Sequence, residues 1–391
     1  MRLADRVRSR LVVNHAQASP AEVAAALLDE GVVLGEGALM SLIAELRREF
    51  LGLGPLEALV HQPGVTDVLV NGANQVWIDR GRGMERATVA FADELEVRAL
   101  AQRLAGTVGR RLDEASPFVD ARLESGIRLH AVLAPIALDG TLISLRIPRA
   151  RAFTLGDLVD CGSIDAVGAR WLRALIHARV SFLISGGTGS GKTTILGALL
   201  GLMPTDQRLV IIEDSAELQP DHPQAIRLQA RPANLEGAGA ITLQNLVRQT
   251  LRMRPDRIVV GEVRGAEVID LLSALNTGHE GGCGTIHANS AADVPTRIEA
   301  LGLQAGLGRE AIHALLAAGV AVAIHLERDS SGLRVVQGIH AFALDGHSRV
   351  VARPALVRVG RQLVAQEAFE QLSTLLGSNT PPDRIEAPCS T

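Results

Sequence analysis

The chain has 391 residues, 47% of them hydrophobic and 21% charged, and 39 Lys+Arg against 43 Asp+Glu leave a net charge of −4. These are the proportions of an ordinary globular protein of two or three domains, and they exclude a disordered, collagen-like or small disulfide-stapled chain. With no basic excess and few aromatic residues (seven Phe, two Trp, no Tyr), the composition argues against a protein built to grip or base-stack nucleic acid.

Residues 1–62 read as a helical region. Ser19-Pro20-Ala-Glu22 has the form of an N-cap with proline at the first helical position, and Leu39, Leu42, Leu46 and Phe50 keep helical spacing. Arg2, Arg6, Arg8 and Arg10 read first as a solvated face, with an acidic partner or a membrane surface as the alternative. The first residues lack the apolar core of a signal peptide. The longest apolar run, Ala314–Ile324, falls short of the ~20 residues that span a bilayer.

Residues 63–147 read as an α+β domain. Short strand-like runs at Val65–Val70, Gln75–Asp79, Phe118–Leu123, Ile127–Leu133 and Leu142–Ile147 are separated by turn residues. Leu95, Val97, Leu100, Leu104 and Val108 mark one helix among them. Ser125-Gly126 reads as a hairpin turn presenting Arg122 and Arg128. Residues 148–158 break the pattern and read as a linker. From 159 to 377 helices and strands alternate, as in an α/β domain with a largely parallel sheet. The last strands fall at roughly 320–364 and a helix near Ala368–Leu376, and residues 378–391 read as a disordered Ser/Thr/Pro tail. Cys161, Cys283 and Cys389 match no metal or redox spacing, which fits a reducing cytosol.

Gly186-Gly187-Thr188-Gly189-Ser190-Gly191-Lys192-Thr193 matches the G-x-x-x-x-G-K-[ST] phosphate loop, Walker A. An apolar run, Val180–Ile184, precedes it. Ile195, Leu196, Leu199 and Leu200 follow at helical spacing, the strand–loop–helix context the chemistry needs. The backbone N–H groups of Gly186 to Thr194 surround phosphates at a helix N-terminus. Lys192 reaches the β and γ phosphates as a compact charge, and the Thr193 hydroxyl ligates Mg²⁺. Lys192 is the single lysine among the 39 basic residues. In so Arg-biased a chain, that marks a position where arginine cannot serve.

Arg257–Glu262 is an apolar run ending in an acid, a Walker B pattern that puts Glu262 at the C-terminal edge of a parallel sheet. Leu209–Ile212 also runs into acids: Glu213, Asp214 and then Glu217. A carboxylate here polarises the attacking water or merely caps a turn, and spacing leaves both readings open. Thr277–Ser290 is glycine-rich and carries His279 and His287, which reads as a flexible loop able to contact a γ-phosphate. The His spacing does not suit zinc.

Together with Leu53–Glu57, Thr66–Gly72, Arg111–Arg122, Ile212–Leu218 and Leu251–Arg264, these boxes resemble the bacterial type II/IV secretion ATPase superfamily. The branch most similar is the tight-adherence (Flp) pilus assembly, CpaF-like group. The resemblance implies N-terminal helices, an α+β (PAS-like) domain, a short linker and a C-terminal RecA-like P-loop ATPase domain. It implies a homo-hexameric motor on the cytoplasmic face of the inner membrane. Such a motor works against an inner-membrane platform protein, with peripheral membrane contact and no direct nucleic acid, and uses ATP and Mg²⁺ to power pilus assembly or secretion. Carried onto this chain, Lys192 and Thr193 hold phosphate and metal, Glu217 orients water, Glu262 supports the metal and His287 acts near the γ-phosphate. Arg122, Arg128 and Arg146 neutralise phosphate charge. Gly282 and Gly284 depart from the Ser-like and Thr-like residues of the family's His box, which predicts a more pliable loop. The alternatives are a RecA-like nucleic-acid translocase or helicase, a conjugal-transfer ATPase, and a nucleotide-binding scaffold with little turnover. A small-molecule kinase would need a lid and an acceptor pocket, and neither is visible.

Overall fold

The computed structural model describes residues 20–29, 32, 35, 52–81, 83–148, 152–231 and 238–382. Helix α1 (Pro20–Asp29) opens at the proline, as expected. Ser19, the basic residues at 2–10, the helical spacing from Leu39 to Phe50, and Cys389 lie outside the described residues, as does most of the expected tail. No described helix is long and apolar enough to cross a membrane. The chain divides into two units, Met1–Ala150 and Arg151–Thr391.

In the first unit, the short helix α2 (Glu57–Val60) leads into β1 (Asp67–Asn71), β2 (Val76–Asp79) and β3 (Met84–Arg86). After helix α3 (Glu94–Thr107) come β4 (Phe118–Arg122), β5 (Arg128–Val132) and β6 (Leu142–Arg146). They form one antiparallel sheet in the order β3-β2-β1-β6-β5-β4. Alternate residues of its strands, such as Val68, Val70, Leu129, Ala131, Ile143 and Leu145, are buried in a core shared with the Val97, Leu100, Ala101 and Leu104 stripe of α3. Asp93 caps α3 by accepting from the Glu96 N–H at 2.9 Å. Strand β3 escaped the sequence reading because all of its residues are exposed, so it has no burial alternation to detect.

The second unit opens with α4 (Leu155–Asp160), whose start is closed by a Thr154–Asp157 capping box. Leu155 and Leu158 are buried in this unit's core, so the second half of the segment read as a linker is an ordered helix. Then follow α5 (Ala166–His177), β7 (Phe182–Gly186), α6 (Lys192–Leu200), β8 (Leu209–Glu213), β9 (Ala225–Gln229), α7 (Leu243–Thr250), β10 (Arg257–Val263), α8 (Glu267–Asn276) and β11 (Cys283–Ile286). The unit closes with α9 (Val294–Gln304), α10 (Arg309–Gly319), β12 (Val322–Arg328), β13 (Arg334–Leu344), β14 (Val350–Val359), β15 (Gln362–Ala365) and α11 (Phe369–Leu376). The nine strands are ordered β15-β14-β13-β12-β7-β11-β10-β8-β9, parallel from β12 to β9 and antiparallel from β12 outward to β15.

The parallel strands are covered on both faces, which is why they are continuous apolar runs rather than alternating ones. Phe182 and Ile184 of β7 pack with Trp171 of α5 and Leu196 of α6. Leu183 packs with Leu272 of α8, Ile298 of α9 and Leu316 of α10. The C-terminal end of β7, where the glycine loop begins, therefore lies mid-sheet between two helix layers.

Two sequence expectations are corrected here. The glycine-rich segment 277–290 is not wholly a flexible loop, because Cys283–Ile286 is a fully buried central strand. Nor do Gly282 and Gly284 confer pliability. A Cβ on Gly282 would stand 2.3 Å from Leu275 Cδ2 and 2.8 Å from the Ile258 carbonyl, and one on Gly284 2.8 Å from the Val260 carbonyl. Both are glycine because β11 is pressed against its neighbours. Burial pushes the Cys283 thiol up to about 12, so this cysteine is a packing residue.

Arg257, at the start of β10, is fully buried. Its guanidinium donates to Gln207 Oε1 at 2.8 Å, to the Ile176 carbonyl at 2.8 Å and to the Gly281 carbonyl at 3.2 Å. It thus ties the end of α5 and the entry to β11 onto one strand. Arg257→Met should lower unfolding stability by about 2–4 kcal/mol, since buried acceptors lose their donor. Urea denaturation of the two proteins measures it.

Candidate active site

The glycine loop leaves β7 at Gly186, whose φ is 150°, and turns again at Gly189 (70°) and Gly191 (96°). A Cβ on Gly186 would meet the Leu326 carbonyl at 2.5 Å and Ser190 Oγ at 2.6 Å. The loop ends on the N-terminus of α6, where Thr193 and Thr194 are half-buried in the first turn. Lys192 is buried, and its ammonium donates to the carbonyls of Gly186 and Gly187 at 2.8 Å each. Burial holds its pKa below the usual lysine range, and the Glu262 carboxylate pulls the other way.

Glu262 reaches this region through a bulge. Val260 pairs with Gly284 but Val263 with Ile286, so β10 carries one extra residue at Gly261–Glu262. The Thr285 hydroxyl pins the bulge by donating to the Gly261 carbonyl at 2.5 Å. His287, just beyond β11, places Nε2 2.8 Å from Glu262 Oε1. Burial lowers the His287 pKa, the Lys192 charge lowers it further and Glu262 opposes both. Neutral imidazole with the proton on Nε2 therefore donates to Glu262. His279 is not brought here: its Nδ1 faces the Ala274 carbonyl at the end of α8, at 3.3 Å.

The acids after β8 separate by environment. Glu213 is buried. Its Oε1 accepts from the N–H groups of Glu217 and Leu218 at 3.0 Å each, and its Oε2 has no hydrogen-bond partner among the described residues. Burial, the largest cause, pushes its pKa up to about 7. Gly261 faces it so closely that a Cβ there would lie 2.6 Å from Glu213 Cγ. Asp214 pairs with Arg264. Glu217 is exposed on the turn that Glu213 anchors.

Arg122, Arg128 and Arg146 belong to the first unit. The register sets Arg122 opposite Arg128 and Arg128 opposite Arg146, so the three form one row across β4, β5 and β6. Arg128 is bidentate to Asp120, at 3.1 and 2.6 Å, and Arg146 lies 3.2 Å from Asp67.

Sequence reasoning passed over two features beside the loop. Ser185 Oγ lies 2.9 Å from His325 Nδ1, both buried, and His325 Nε2 lies 3.2 Å from Oε1 of the exposed Glu327, a chain of polar contacts that starts at the base of the loop. The β12–β13 hairpin also brings Arg328 within 3.1 Å of the Gly189 carbonyl. Both join residues far apart in the chain, which no local motif registers.

A parallel sheet with a glycine loop at the end of a central strand, a lysine folded into that loop and an acid near the end of the next strand but one defines a P-loop nucleotide-binding domain. More particularly, the chain belongs to the type II/IV secretion system protein family, whose sequence profile matches residues 49–339. It is 52% identical over 308 residues to a Mycobacterium tuberculosis (strain H37Rv) protein provisionally named a conjugal transfer protein, covering 77% of this chain and 88% of the relative. Conjugal transfer protein TrbB of Rhizobium radiobacter is 33% identical over 281 residues, 71% of this chain and 83% of that one. The type IV secretion system protein VirB11 of Brucella suis biovar 1 is 31% identical over 303 residues, 70% of this chain and 84% of that one. The fold is shared with the ATPase DotB of Yersinia pseudotuberculosis, at a TM-score of 0.53 and 15% identity over 81% of this chain and 82% of that one.

Glu213 yields a pH test. The folded chain keeps this carboxyl protonated up to about 7, against 4.5 for an ordinary glutamate, so it binds more protons than the unfolded chain in that window. Its contribution to stability is present below the lower value and is lost as pH rises to the upper one. Glu213→Gln should remove this loss, so the variant gains on wild type between about pH 5 and about pH 8 in urea unfolding.

Proposed function

We propose that the chain is an Mg²⁺-dependent ATPase, a homo-hexameric motor that powers pilus assembly or protein secretion across the cell envelope. The observation that carries this reading is the convergence of Lys192, Glu262 and His287 on the glycine loop. The membership of the family supports it. We place the protein on the cytoplasmic face of the inner membrane, against a platform protein there, and in the tight-adherence (Flp), CpaF-like branch on its boxes at 53–57, 66–72 and 111–122. Conjugal transfer is the second reading, favoured by the names of the relatives with 52% and 33% identity.

Residues 63–147 serve as the N-terminal α+β domain and 159–377, together with α4, as the ATPase domain. Lys192 leaves the Gly186 and Gly187 carbonyls for the β and γ phosphates, and the backbone N–H groups of Gly187 to Thr194 hold the remaining phosphate oxygens. The Thr193 hydroxyl and the Glu262 carboxylate are hard oxygen donors, which suit Mg²⁺. When bound, the ion neutralises charge developing on the phosphates. Glu217 orients the attacking water, and His287 holds Glu262 in place until the γ-phosphate arrives. Arg122, Arg128 and Arg146 neutralise phosphate charge. For Arg128 and Arg146 that means leaving Asp120 and Asp67, so ion pairs within the first unit are exchanged for phosphate contacts.

ATP hydrolysis by wild type, Lys192→Ala and Glu262→Gln, run across protein concentration with mass determination, tests the reading. Turnover should rise with assembly into a hexamer and fall about 10²-fold or more in Lys192→Ala, the scale of losing a charge-stabilising group. Glu262→Gln should bind ATP and retain it. Normal turnover in Glu262→Gln overturns the role of that acid, and tight binding without turnover in the assembled wild type favours the scaffold.

A further inference from the structure

The strand that opens the glycine loop ends on a buried hydroxyl. Ile286 of β11, Ser185 of β7 and His325 of β12 stand in register across the sheet, immediately before the backbone turns into the loop at Gly186. Ser185 has no exposed surface, so its hydroxyl is closed off from solvent, and its partner is His325 Nδ1 at 2.9 Å. His325 is also buried. It reaches from Ser185 to the loop between β11 and α9, where the Asn289 backbone hydrogen-bonds its ring. That loop begins at His287, whose Nε2 lies 2.8 Å from Glu262 Oε1. Ser290 tightens it by donating to Asp293 Oδ2 at 2.8 Å.

The groups around the ring fix its protonation. Glu327 of the same strand is exposed and lies 3.2 Å from Nε2, and Asp293 stands at the entry to α9. On β13, Gly338 is directly opposite His325, and a Cβ there would lie 2.8 Å from His340 Cε1. The His340 ring therefore fills the space beside His325. Burial pushes the His340 pKa down to about 4, with His325 lowering it further, so that neighbour is neutral. Burial is likewise the largest influence on His325. It holds the pKa below the usual histidine range against the opposing pull of Glu327, the Asn289 backbone and Asp293. A neutral imidazole has one donor and one acceptor nitrogen. With Glu327 accepting, the proton is on Nε2 and the Ser185 hydroxyl donates to Nδ1. Removing either end leaves a buried polar group without its partner.

We infer that His325 is a positioning residue for nucleotide hydrolysis, bridging the start of the glycine loop, through Ser185, to the loop that carries His287, through Asn289. One end of the bridge adjoins Gly186, whose carbonyl holds Lys192, and the other adjoins the Glu262–His287 pair. It sets the cationic and acidic halves of the site against each other without touching phosphate. This rests on reading the chain as an ATPase.

An asparagine amide reaches about as far as Nδ1 and a glutamine amide about as far as Nε2, so two substitutions cut the bridge at opposite ends. His325→Asn keeps the Ser185 contact, and His325→Gln keeps the Asn289 contact. The test compares these in the full chain with wild type, Ser185→Ala, the Ser185→Ala/His325→Gln double variant and Lys192→Ala. Without nucleotide, amide hydrogen exchange read by mass spectrometry should quicken over 186–191 in His325→Gln and over 287–293 in His325→Asn. With MgATP, kcat should fall about tenfold in each, as expected for misplaced reacting groups. Calorimetric ADP affinity should stay within about threefold of wild type, because no phosphate ligand is lost. The double variant should lose no more kcat than His325→Gln alone, since both changes cut one contact. Unchanged kcat in both His325 variants overturns the bridge. So do additive losses in the double variant. So does a loss of ADP affinity as large as the loss of kcat with a lower thermal midpoint, which marks support of the fold alone. Wild-type turnover no faster than that of Lys192→Ala overturns the ATPase reading and, whatever the exchange shows, any part for His325 in turnover.

Discussion

Lys192 donates to the two carbonyls that begin its own loop, and this short circuit depends on how sharply the backbone turns at Gly186. The turn depends in turn on β12, whose Leu326 carbonyl occupies the space a side chain at 186 would need. β12 can lie so close because β7 is a central strand, paired on both edges and covered on both faces. The ammonium is thus placed by the sheet as a whole. A buried cation needs oxygen partners, and the loop carbonyls supply them.

The acid side of the site follows from the same packing. β11 must approach β10 and β7 closely, and Gly282 and Gly284 permit it. Against β11, β10 bulges at Gly261–Glu262, and Glu262 there meets His287. Gly261 does double duty, since the Glu213 carboxyl packs where its side chain would be. Arg257 holds the far end of this arrangement by fixing Gly281. The geometry of the candidate acids is therefore a product of close backbone approach around three glycines.

Much of this was legible in the chain itself. The β7–loop–α6 unit is local, so strand, glycines, lysine and helix follow one another in the sequence. The apolar run of β10 ending near Glu262 is equally plain. Less legible were features set by contacts between distant segments. The segment 277–290 reads as a loop because glycine composition does not distinguish freedom from crowding. The structural part of Arg257 does not show in the local sequence because its three acceptors come from 176, 207 and 281. Spacing could not choose among Glu213, Asp214 and Glu217, since the difference lies in which is buried. Strands β3 and β9 lie at sheet edges with little buried surface, so neither shows the pattern that reveals an inner strand.

The solitary lysine gives the chain an unusual covalent chemistry. An acetyl-transferring enzyme or a ubiquitin-type ligase that requires a side-chain amine has one such atom to attack, and it is the Nζ held against the first carbonyls of the glycine loop. Burial also holds that amine below the ordinary lysine pKa for as long as it stays covered. Side-chain amine modification in this protein is thereby confined to one buried atom, whose labelling requires that it be exposed to the reagent.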